Sequence, residues 1–237
     1  MPITLVLLRH GETTRNVIEE DPRCKCRLVY ADDEARKRVG VARDRLLPLS
    51  DKGRKQARRA GKGLRNQFGV FDFIFHSGYL RAEHTAKLVL TAYNESERMR
   101  TEVRINPGIR ERDPGYCYNM TEEEVEKHFP WFLDYWNSTD PFIRVPLGGE
   151  STQNLCDGRL KRFLDDLKDP KFNGRKVLVV SHYSAIVGLR SLIEGWSYEK
   201  ANNVFRKNLG PKNCGAVAYT HDYRSGYELL FENKVFS

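Results

Sequence analysis

The stretch Ile3-Thr4-Leu5-Val6-Leu7-Leu8-Arg9-His10-Gly11-Glu12 decides the fold of this 237-residue chain. Its first six residues form a nearly continuous apolar run, which is typical of a parallel strand buried on both faces. Ligands of open α/β sheets bind beyond the carboxyl ends of such strands, and His10 falls at that end. An imidazole beside the guanidinium of Arg9 indicates chemistry on an anion.

The same pattern recurs near the other end of the chain. Val177-Leu178-Val179-Val180 is a second short run rich in β-branched residues, and it ends in Ser181-His182. A single histidine after a strand is more often a hydrogen-bonded core or loop residue than a catalyst. Because two histidines follow two strands in the same way, we expect them to share one crevice.

Between these two strands, the spacing of apolar residues predicts an alternation of helices and strands. Ser50 is a candidate N-cap for the first long helix, and a strand is predicted over residues 71–75. The predicted helices have apolar faces, listed in chain order: Ala57, Gly61, Leu64 and Phe68; Ala82, Ala86, Val89 and Tyr93; Cys156, Leu160, Phe163 and Leu167. A further helix over 185–194 precedes strands near 216–220 and 227–231. This order predicts a three-layer α/β/α sandwich with a mainly parallel central sheet.

Two segments interrupt the alternation. Residues 16–47 are polar, charged and weakly periodic, so they are either a functional excursion near the site or a mobile loop. Residues 106–151 are rich in turn formers and aromatic residues, and we expect this inserted middle segment to act as a lid. Within it, Val125, Phe129, Phe132 and Trp136 have helical spacing, with a break predicted after Phe129 because of Pro130.

Length and composition indicate one domain over residues 1–237, since 40% apolar residues suffice for a sizeable core. No stretch resembles a secretory signal or a membrane span, so the expected location is the cytoplasm, with no membrane partner. The five cysteines, at 24, 26, 117, 156 and 214, form no evident disulfide framework and are expected to be reduced thiols. The C-x-C at 24 and 26 is weak evidence for a metal, and no metal site is predicted.

The net charge of +8 is concentrated in residues 34–65, which hold twelve Lys/Arg residues against three acidic ones. Such a basic band attracts phosphorylated ligands or nucleic acid. We favour a solvated helix face, because the band lacks the aromatic residues that stack on bases. No nucleic-acid partner is therefore expected.

Further motifs complete a resemblance to the histidine phosphatase superfamily, also called phosphoglycerate mutase-like. The matching elements occur in the family's order and span nearly the whole chain: Arg9-His10-Gly11-Glu12-Thr13 with Asn16; Leu49-Ser50-x-x-Gly53-x-x-Gln56-Ala57; the segment 77–86 with Arg81; Arg110-Glu111; Gly148-Gly149-Glu150-Ser151; and Ser181-His182. The resemblance implies a phosphoryl-transfer enzyme.

The resemblance also implies roles for residues of the phosphate site. His10 would be the nucleophile that forms a phosphohistidine, and His182 a further donor to the phosphoryl group. Arg9 and Arg81 would grip the phosphoryl oxygens through paired N–H donors, a geometry that lysine lacks. Glu111 would protonate the leaving alkoxide and then activate water, with Asp113 as the alternative acid.

For the outer part of the site, the resemblance implies positions near the substrate rather than chemical roles. Thr13 and Asn16 match positions that line the phosphate pocket in relatives, and Arg144 is expected near the substrate with the Gly149-Glu150-Ser151 turn. His76 stands where relatives usually carry a small hydroxyl residue, so it faces the pocket or packs at a strand end.

Three departures from the family pattern bear on activity. Tyr183 stands where relatives usually have glycine, so it either lines the site in a shifted loop or narrows the pocket. The Gly-Trp loop of cofactor-dependent mutases is missing from the excursion. The mutases' Tyr-Gly after the glutamate is replaced by Arg112-Asp113-Pro114-Gly115-Tyr116.

These departures favour a metal-independent phosphatase that needs no cofactor and acts on a small phosphorylated substrate. One alternative is a phosphoglycerate mutase, which would require 2,3-bisphosphoglycerate. Another is a catalytically weak protein that binds phosphorylated ligands, with Tyr183 blocking the pocket. The sequence names no substrate and leaves the oligomeric state open, with a dimer as one possibility.

Overall fold

A six-stranded sheet lies at the centre of the computed structural model, which describes residues 1–18, 28–40 and 43–237. The strands, in chain order, are β1 (Thr4–Arg9), β2 (Phe73–His76), β3 (Glu102–Ile105), β4 (Lys176–Ser181), β5 (Gly215–Asp222) and β6 (Gly226–Val235). Their spatial order is β3-β2-β4-β1-β5-β6. Within this order, β3, β2, β4 and β1 are parallel to one another, whereas β5 is antiparallel to both β1 and β6.

Helices cover both faces of this sheet. In chain order they are α1 (Thr14–Ile18), α2 (Asp33–Val39), α3 (Asp51–Phe68), α4 (Leu80–Leu90), α5 (Glu95–Arg100), α6 (Glu122–His128), α7 (Phe132–Ser138), α8 (Thr152–Leu155), α9 (Lys161–Asp166), α10 (Tyr183–Ile193) and α11 (Tyr198–Arg206). A π-helical turn over Cys156–Leu160 joins α8 to α9. The predicted α/β class with a mainly parallel sheet is confirmed.

Alternating side chains of β1 divide the core into two layers, because successive residues of a strand face opposite sides. Val6 and Leu8 pack with the apolar faces of α3 and α4. Leu5 and Leu7 pack on the other side with the π-helical turn, α9 and α10. All four side chains are fully buried. The strand is therefore held on both faces, and its carboxyl end is fixed in position.

The predicted helices pack as the sequence indicated, and α3 begins at its predicted cap, whereas the helix predicted over 185–194 begins earlier, at Tyr183. Ser50 caps α3, since its side chain accepts the Gly53 N–H at 3.0 Å. Gly61 allows α3 to approach α4 closely: a Cβ there would lie 2.7 Å from the Val89 carbonyl oxygen. The predicted helix face at 156–167 is also buried, although its first turn is π-helical.

The edge strand β3 was not predicted from the sequence. Its four residues, Glu-Val-Arg-Ile, are exposed or half-buried, and this short alternation lacks the continuous apolar run of a buried strand. The strand forms because β2 offers an open edge, to which Phe73 through His76 pair in parallel register with residues 102–105. The strand predicted over 71–75 is also shifted, since β2 begins at Phe73.

The excursion over residues 16–47 contains regular structure in its described part, which its weak periodicity did not predict. Asp32 caps α2 by accepting the Ala35 N–H at 2.7 Å. A small separate core joins Tyr30, Ala35, Val39 and Leu47. α2 has only seven residues, of which Ala35 and Val39 are buried, so it is too short to show a periodic pattern in the sequence. The Cys24 and Cys26 pair lies outside the described residues.

The middle segment forms a further apolar cluster, which includes Val29 of the excursion. The predicted break is confirmed, since α6 ends at His128 and α7 begins at Phe132. Val125, Phe132 and Trp136 are buried together. The Arg15 guanidinium ties this segment to the excursion, because it donates to the carbonyls of Tyr118 and Leu28, both at 2.8 Å.

Three further observations concern the described residues. Cys117, Cys156 and Cys214 are buried free thiols. Among the helices described, none is long and apolar enough to cross a membrane. Residues 1–18, 28–40 and 43–237 also contain no group of His, Cys, Asp and Glu side chains arranged to hold a metal ion.

Candidate active site

The two histidine-bearing strands lie side by side, as predicted. β1 and β4 are parallel neighbours in which Arg9 pairs with Ser181, and the His10 N–H donates to the Ser181 carbonyl at 2.9 Å. The ring centroids of His10 and His182 are 5.1 Å apart. The sheet register therefore brings together two residues that are far apart in the sequence.

The hydrogen bonds of His10 assign its tautomer. Its Nδ1 lies 2.7 Å from the Gly11 carbonyl, which can only accept, so Nδ1 carries the proton. Its Nε2 lies 3.2 Å from Nε of Arg81, which can only donate. The lone pair of Nε2 is thus directed away from the backbone and towards the guanidinium of Arg81.

The surroundings of His10 keep its imidazole neutral. Burial lowers the pKa of His10 well below the ordinary value of 6.5, and the positive charges of Arg81 and Arg9 lower it further. A neutral imidazole has the unprotonated nitrogen that a nucleophile or a hydrogen-bond acceptor needs. The site therefore holds His10 in its reactive form at neutral pH.

We expect the His10 imidazole to stay neutral as the pH falls through 6.5, because its protonation requires a pH below its lowered pKa. Nitrogen-15 NMR of the imidazole measures this directly, with His10→Gln identifying the resonance. The Arg81→Gln variant lacks one of the two nearby cations, so the midpoint of its His10 titration should lie at a higher pH. Half-protonation of wild-type His10 at pH 6.5 or above would contradict the electrostatic argument.

His182 lies behind His10 and is fully buried. Its Nε2 is 2.8 Å from the Ser77 hydroxyl, and its Nδ1 has no hydrogen-bond partner among the described residues. Burial lowers the pKa of His182 well below 6.5, with Arg81 and His10 adding to the effect. His182 is thus a second neutral imidazole with one unsatisfied nitrogen.

Arg81 is a cation of the site that several hydrogen bonds hold in place. It lies in the first turn of α4, and only 4% of its surface is exposed. Besides the bond from Nε to His10, its terminal nitrogens Nη1 and Nη2 donate to the two carboxylate oxygens of Asp44 at 2.9 and 3.1 Å. Arg9 lies at the carboxyl end of β1, where its Nη1 donates to the Pro211 carbonyl at 3.0 Å.

Glu111 brings a carboxylate to the same cavity from the middle segment. It accepts the N–H of Ser184, in the first turn of α10, at 3.2 Å and the N–H of Arg112 at 2.8 Å. The competing carboxylate, Asp113, is exposed, accepts the Gly115 N–H at 2.9 Å and does not line the cavity. The structure therefore favours Glu111 over Asp113.

Thr13 and Asn16 lie beside the His10 strand tip, as the resemblance implied. The Asn16 side-chain oxygen accepts the Thr13 N–H at 3.1 Å and the side-chain amide of Asn213 at 3.2 Å. The Asn213 amide is also 3.2 Å from the His10 carbonyl. Asn213, which sequence reasoning missed, thus connects the loop before β5 to the His10 strand tip.

A cavity of about 680 Å³ opens above these groups. His10, Arg9, Arg81 and Glu111 line it, together with Thr13 and Asn16, whereas His182 does not. Trp136, Arg144 and Tyr183 also line it, and the Arg9 guanidinium lies 5.3 Å from the centroid of the Tyr183 ring. The Arg144 guanidinium lies 4.0 Å from the centroid of the Trp136 ring, which fixes it against α7. The middle segment therefore walls the cavity on one side.

Tyr183 lines the cavity without filling it. Its hydroxyl accepts the Gly210 N–H at 3.2 Å, and its ring packs against Phe205 with centroids 5.8 Å apart. A Cβ at Gly210 would lie 2.4 Å from the Tyr183 ring. Because a glycine opposite gives the ring space, the large side chain is accommodated beside the pocket.

One sequence expectation about the outer site needs correction, and the structure decides between the two alternatives left open for His76. The Gly149-Glu150-Ser151 turn does not line the cavity. Glu150 instead pairs with Arg159 at 2.7 Å, and Arg159 donates to the Glu111 carbonyl at 2.8 Å. The turn therefore supports the Glu111 loop from behind. His76 is buried at its strand end, where Nδ1 accepts the Gly78 N–H at 3.2 Å, and it also lies outside the cavity.

Comparison with known proteins agrees with this fold. The family model for the histidine phosphatase superfamily (branch 1) matches residues 5–224. A 2,3-bisphosphoglycerate-dependent phosphoglycerate mutase of Parvibaculum lavamentivorans is 26% identical and is aligned over 99% of both chains. The mutase of Nitrobacter winogradskyi is 30% identical over 64% of this chain and 72% of its own.

Solved structures resemble the whole chain. The α-ribazole phosphatase of Shigella flexneri has a TM-score of 0.73 at 23% identity, with 98% of this chain and 97% of that chain covered. A mycobacterial glucosyl-3-phosphoglycerate phosphatase in complex with VO₃ has a TM-score of 0.69 at 22% identity, with coverage of 97% and 98%.

The fold and the site thus define an α/β enzyme of phosphoryl transfer. More specifically, the chain belongs to the histidine phosphatase superfamily, branch 1.

Proposed function

We propose that the protein is a metal-independent phosphatase that hydrolyses small phosphomonoesters through a phosphohistidine on His10. The observation that carries this proposal is the His10 imidazole, which lines an open cavity and is held neutral with its Nε2 beside the Arg81 guanidinium. Phosphoryl transfer needs a positioned nucleophile and cations around the transferring oxygens, and both are present there.

The proposed reaction has two steps. In the first, Nε2 of His10 attacks phosphorus, the ester P–O bond breaks, and Glu111 gives a proton to the leaving oxygen. In the second, water attacks the phosphohistidine, Glu111 takes the proton of the water, and the P–N bond breaks to release inorganic phosphate. Glu111 returns to its protonated form, so each turnover leaves the enzyme unchanged.

His182 would help to hold the phosphoryl group although it lies behind His10. The Ser77 hydroxyl accepts the Tyr79 N–H at 3.2 Å and can donate its own hydrogen to Nε2 of His182. With this assignment the proton of His182 lies on Nδ1, the nitrogen without a partner among the described residues. A phosphoryl oxygen near His10 would satisfy this buried donor.

Hydrolysis is favoured over isomerisation by two sequence regions that differ from those of the mutases. The Gly-Trp loop is missing after Asn16, and Arg112-Asp113-Pro114-Gly115-Tyr116 replaces the mutases' sequence after the glutamate. A mutase must protect its phosphohistidine from water until the second hydroxyl arrives. The structural neighbours named as phosphatases agree with hydrolysis, whereas the relatives named as mutases support the alternative.

Product analysis distinguishes the two reactions. We expect the purified protein, in the presence of a chelator, to release inorganic phosphate from an aryl phosphate and from members of a panel of alkyl phosphates. With 3-phosphoglycerate and a catalytic amount of 2,3-bisphosphoglycerate, we expect no accumulation of 2-phosphoglycerate. Isomerisation without phosphate release would establish the mutase, and phosphate binding without any turnover would establish a binding protein.

A further inference from the structure

Asp44 is a charged residue of the cavity that the family motifs do not assign. It is one of three acidic residues in the basic band 34–65, and its neighbours Arg43 and Arg45 are exposed. Its own side chain is only 16% exposed, because it is directed inward onto Arg81. An acid in this position reduces the positive charge next to an anion site, so its presence requires a specific reason.

The position of Asp44 is fixed by the excursion. Residues 44–46 form one turn of 3₁₀ helix, in which the Leu47 N–H donates to the Asp44 carbonyl at 3.2 Å. Leu47 is buried in the small core formed by Tyr30, Ala35 and Val39. The turn is therefore anchored on its carboxyl side, directly beside α4.

Asp44 contacts only the terminal nitrogens of Arg81. Nη1 donates to the Asp44 carbonyl at 2.7 Å and to Oδ1 at 2.9 Å, and Nη2 donates to Oδ2 at 3.1 Å. Nε donates to Nε2 of His10. These bonds use four of the five N–H groups of the guanidinium, and the fifth, on Nη2, lies on the same edge as Nε–H.

The guanidinium thus has two edges with different partners. The end edge, Nη1 with Nη2, is occupied by Asp44, whereas the side edge, Nε with Nη2, faces the nucleophile. Paired N–H donors on one edge suit two oxygens of a phosphoryl group. We infer that Asp44 is a positioning residue: it holds the end edge of Arg81 so that the side edge is presented to a phosphoryl group at His10.

This inference rests on the proposed function and predicts a specific kinetic pattern. Misplacement of a catalytic group by about 1 Å can cost on the order of a hundredfold in rate. We therefore expect Asp44→Ala to lower kcat about a hundredfold and Asp44→Asn about tenfold, with smaller changes in KM. Orthovanadate, which resembles the transition state, should lose affinity by a larger factor than inorganic phosphate.

Asp51→Asn is the matched control. It removes the same charge from the same basic band, but Asp51 is exposed and pairs with Arg54 at the start of α3. We expect its kcat, its vanadate affinity and its melting temperature to remain close to those of the wild type. If Asp44→Ala does not fold, the same measurements on Asp44→Asn test whether Asp44 positions Arg81.

Two results would overturn the inference. Tighter phosphate binding and a lower KM at unchanged kcat would show that Asp44 competes with the substrate for Arg81. A lower melting temperature with unchanged kcat and vanadate affinity would show a structural role only. The proposed function is tested separately by His10→Ala, and vanadate binding by calorimetry reports on Asp44 even where turnover is absent.

Discussion

Replacement of His10 by alanine is expected to reduce turnover at least about a thousandfold, because loss of a covalent nucleophile removes the reaction path itself. Initial rates of phosphate release from an aryl phosphate, measured at neutral pH with chelator, give this ratio. His10→Gln should be equally inactive, since its amide is not a nucleophile. Melting temperatures of both variants show whether the fold is retained.

His84→Ala is the control for removal of a histidine, because His84 lies on α4 and does not line the cavity. Its rate should match that of the wild type. Rapid quenching of the wild-type reaction should trap a phosphorylated peptide that contains His10, stable in base and labile in acid. Retention of the wild-type rate by His10→Ala would refute the nucleophile assignment.

Replacement of Glu111 by glutamine is expected to have the second-largest effect, and its size should depend on the leaving group. An alkoxide needs a proton to leave, so kcat for alkyl phosphates should fall about 10²–10⁴-fold. A nitrophenolate leaves without a proton, so phosphorylation of His10 by a nitrophenyl phosphate should be much less affected. Stopped-flow bursts for the two substrate types measure this difference.

Asp113→Asn separates the two neighbouring carboxylates. Asp113 is exposed and caps the Gly115 turn, so this variant should keep nearly the wild-type rate with both substrate types. Equal slowing of the phosphorylation step for alkyl and aryl substrates in Glu111→Gln would indicate that Glu111 only binds substrate, because loss of its base role slows only the later hydrolysis of the phosphohistidine. If Asp113→Asn instead slowed the reaction of alkyl phosphates more than that of aryl phosphates, Asp113 would be the general acid.

The strands and helices of the core were predicted from the sequence more completely than those of the excursion. β1 and β4 were predicted because a fully buried strand has a continuous apolar run, and α3 because its cap and its apolar stripe are local patterns. β3 was missed, since an edge strand with exposed side chains has no such run. The helices of the excursion were missed because they are too short to show a periodic apolar pattern.

The residues of the site also divide into those that a sequence pattern identified and those that it did not. Arg9, His10 and His182 were found because each follows or ends a recognisable strand, and Arg81 and Glu111 because they match family motifs. Asp44, Asn213 and Arg159 carried no signal. Asp44 lies 37 residues from Arg81 in the sequence, and no local spacing relates them.

The sequence by itself determined the α/β class, the strand tips that carry the histidines and the kinds of side chain available for phosphoryl transfer, because these depend on local hydrophobic pattern and residue identity. Only the tertiary structure decided that Asp44 holds Arg81, that Glu111 meets the start of α10 across 73 residues, and that His182 lies buried behind His10. The physical reason is that such contacts are set by the packing of distant segments around the sheet, which no local sequence pattern encodes.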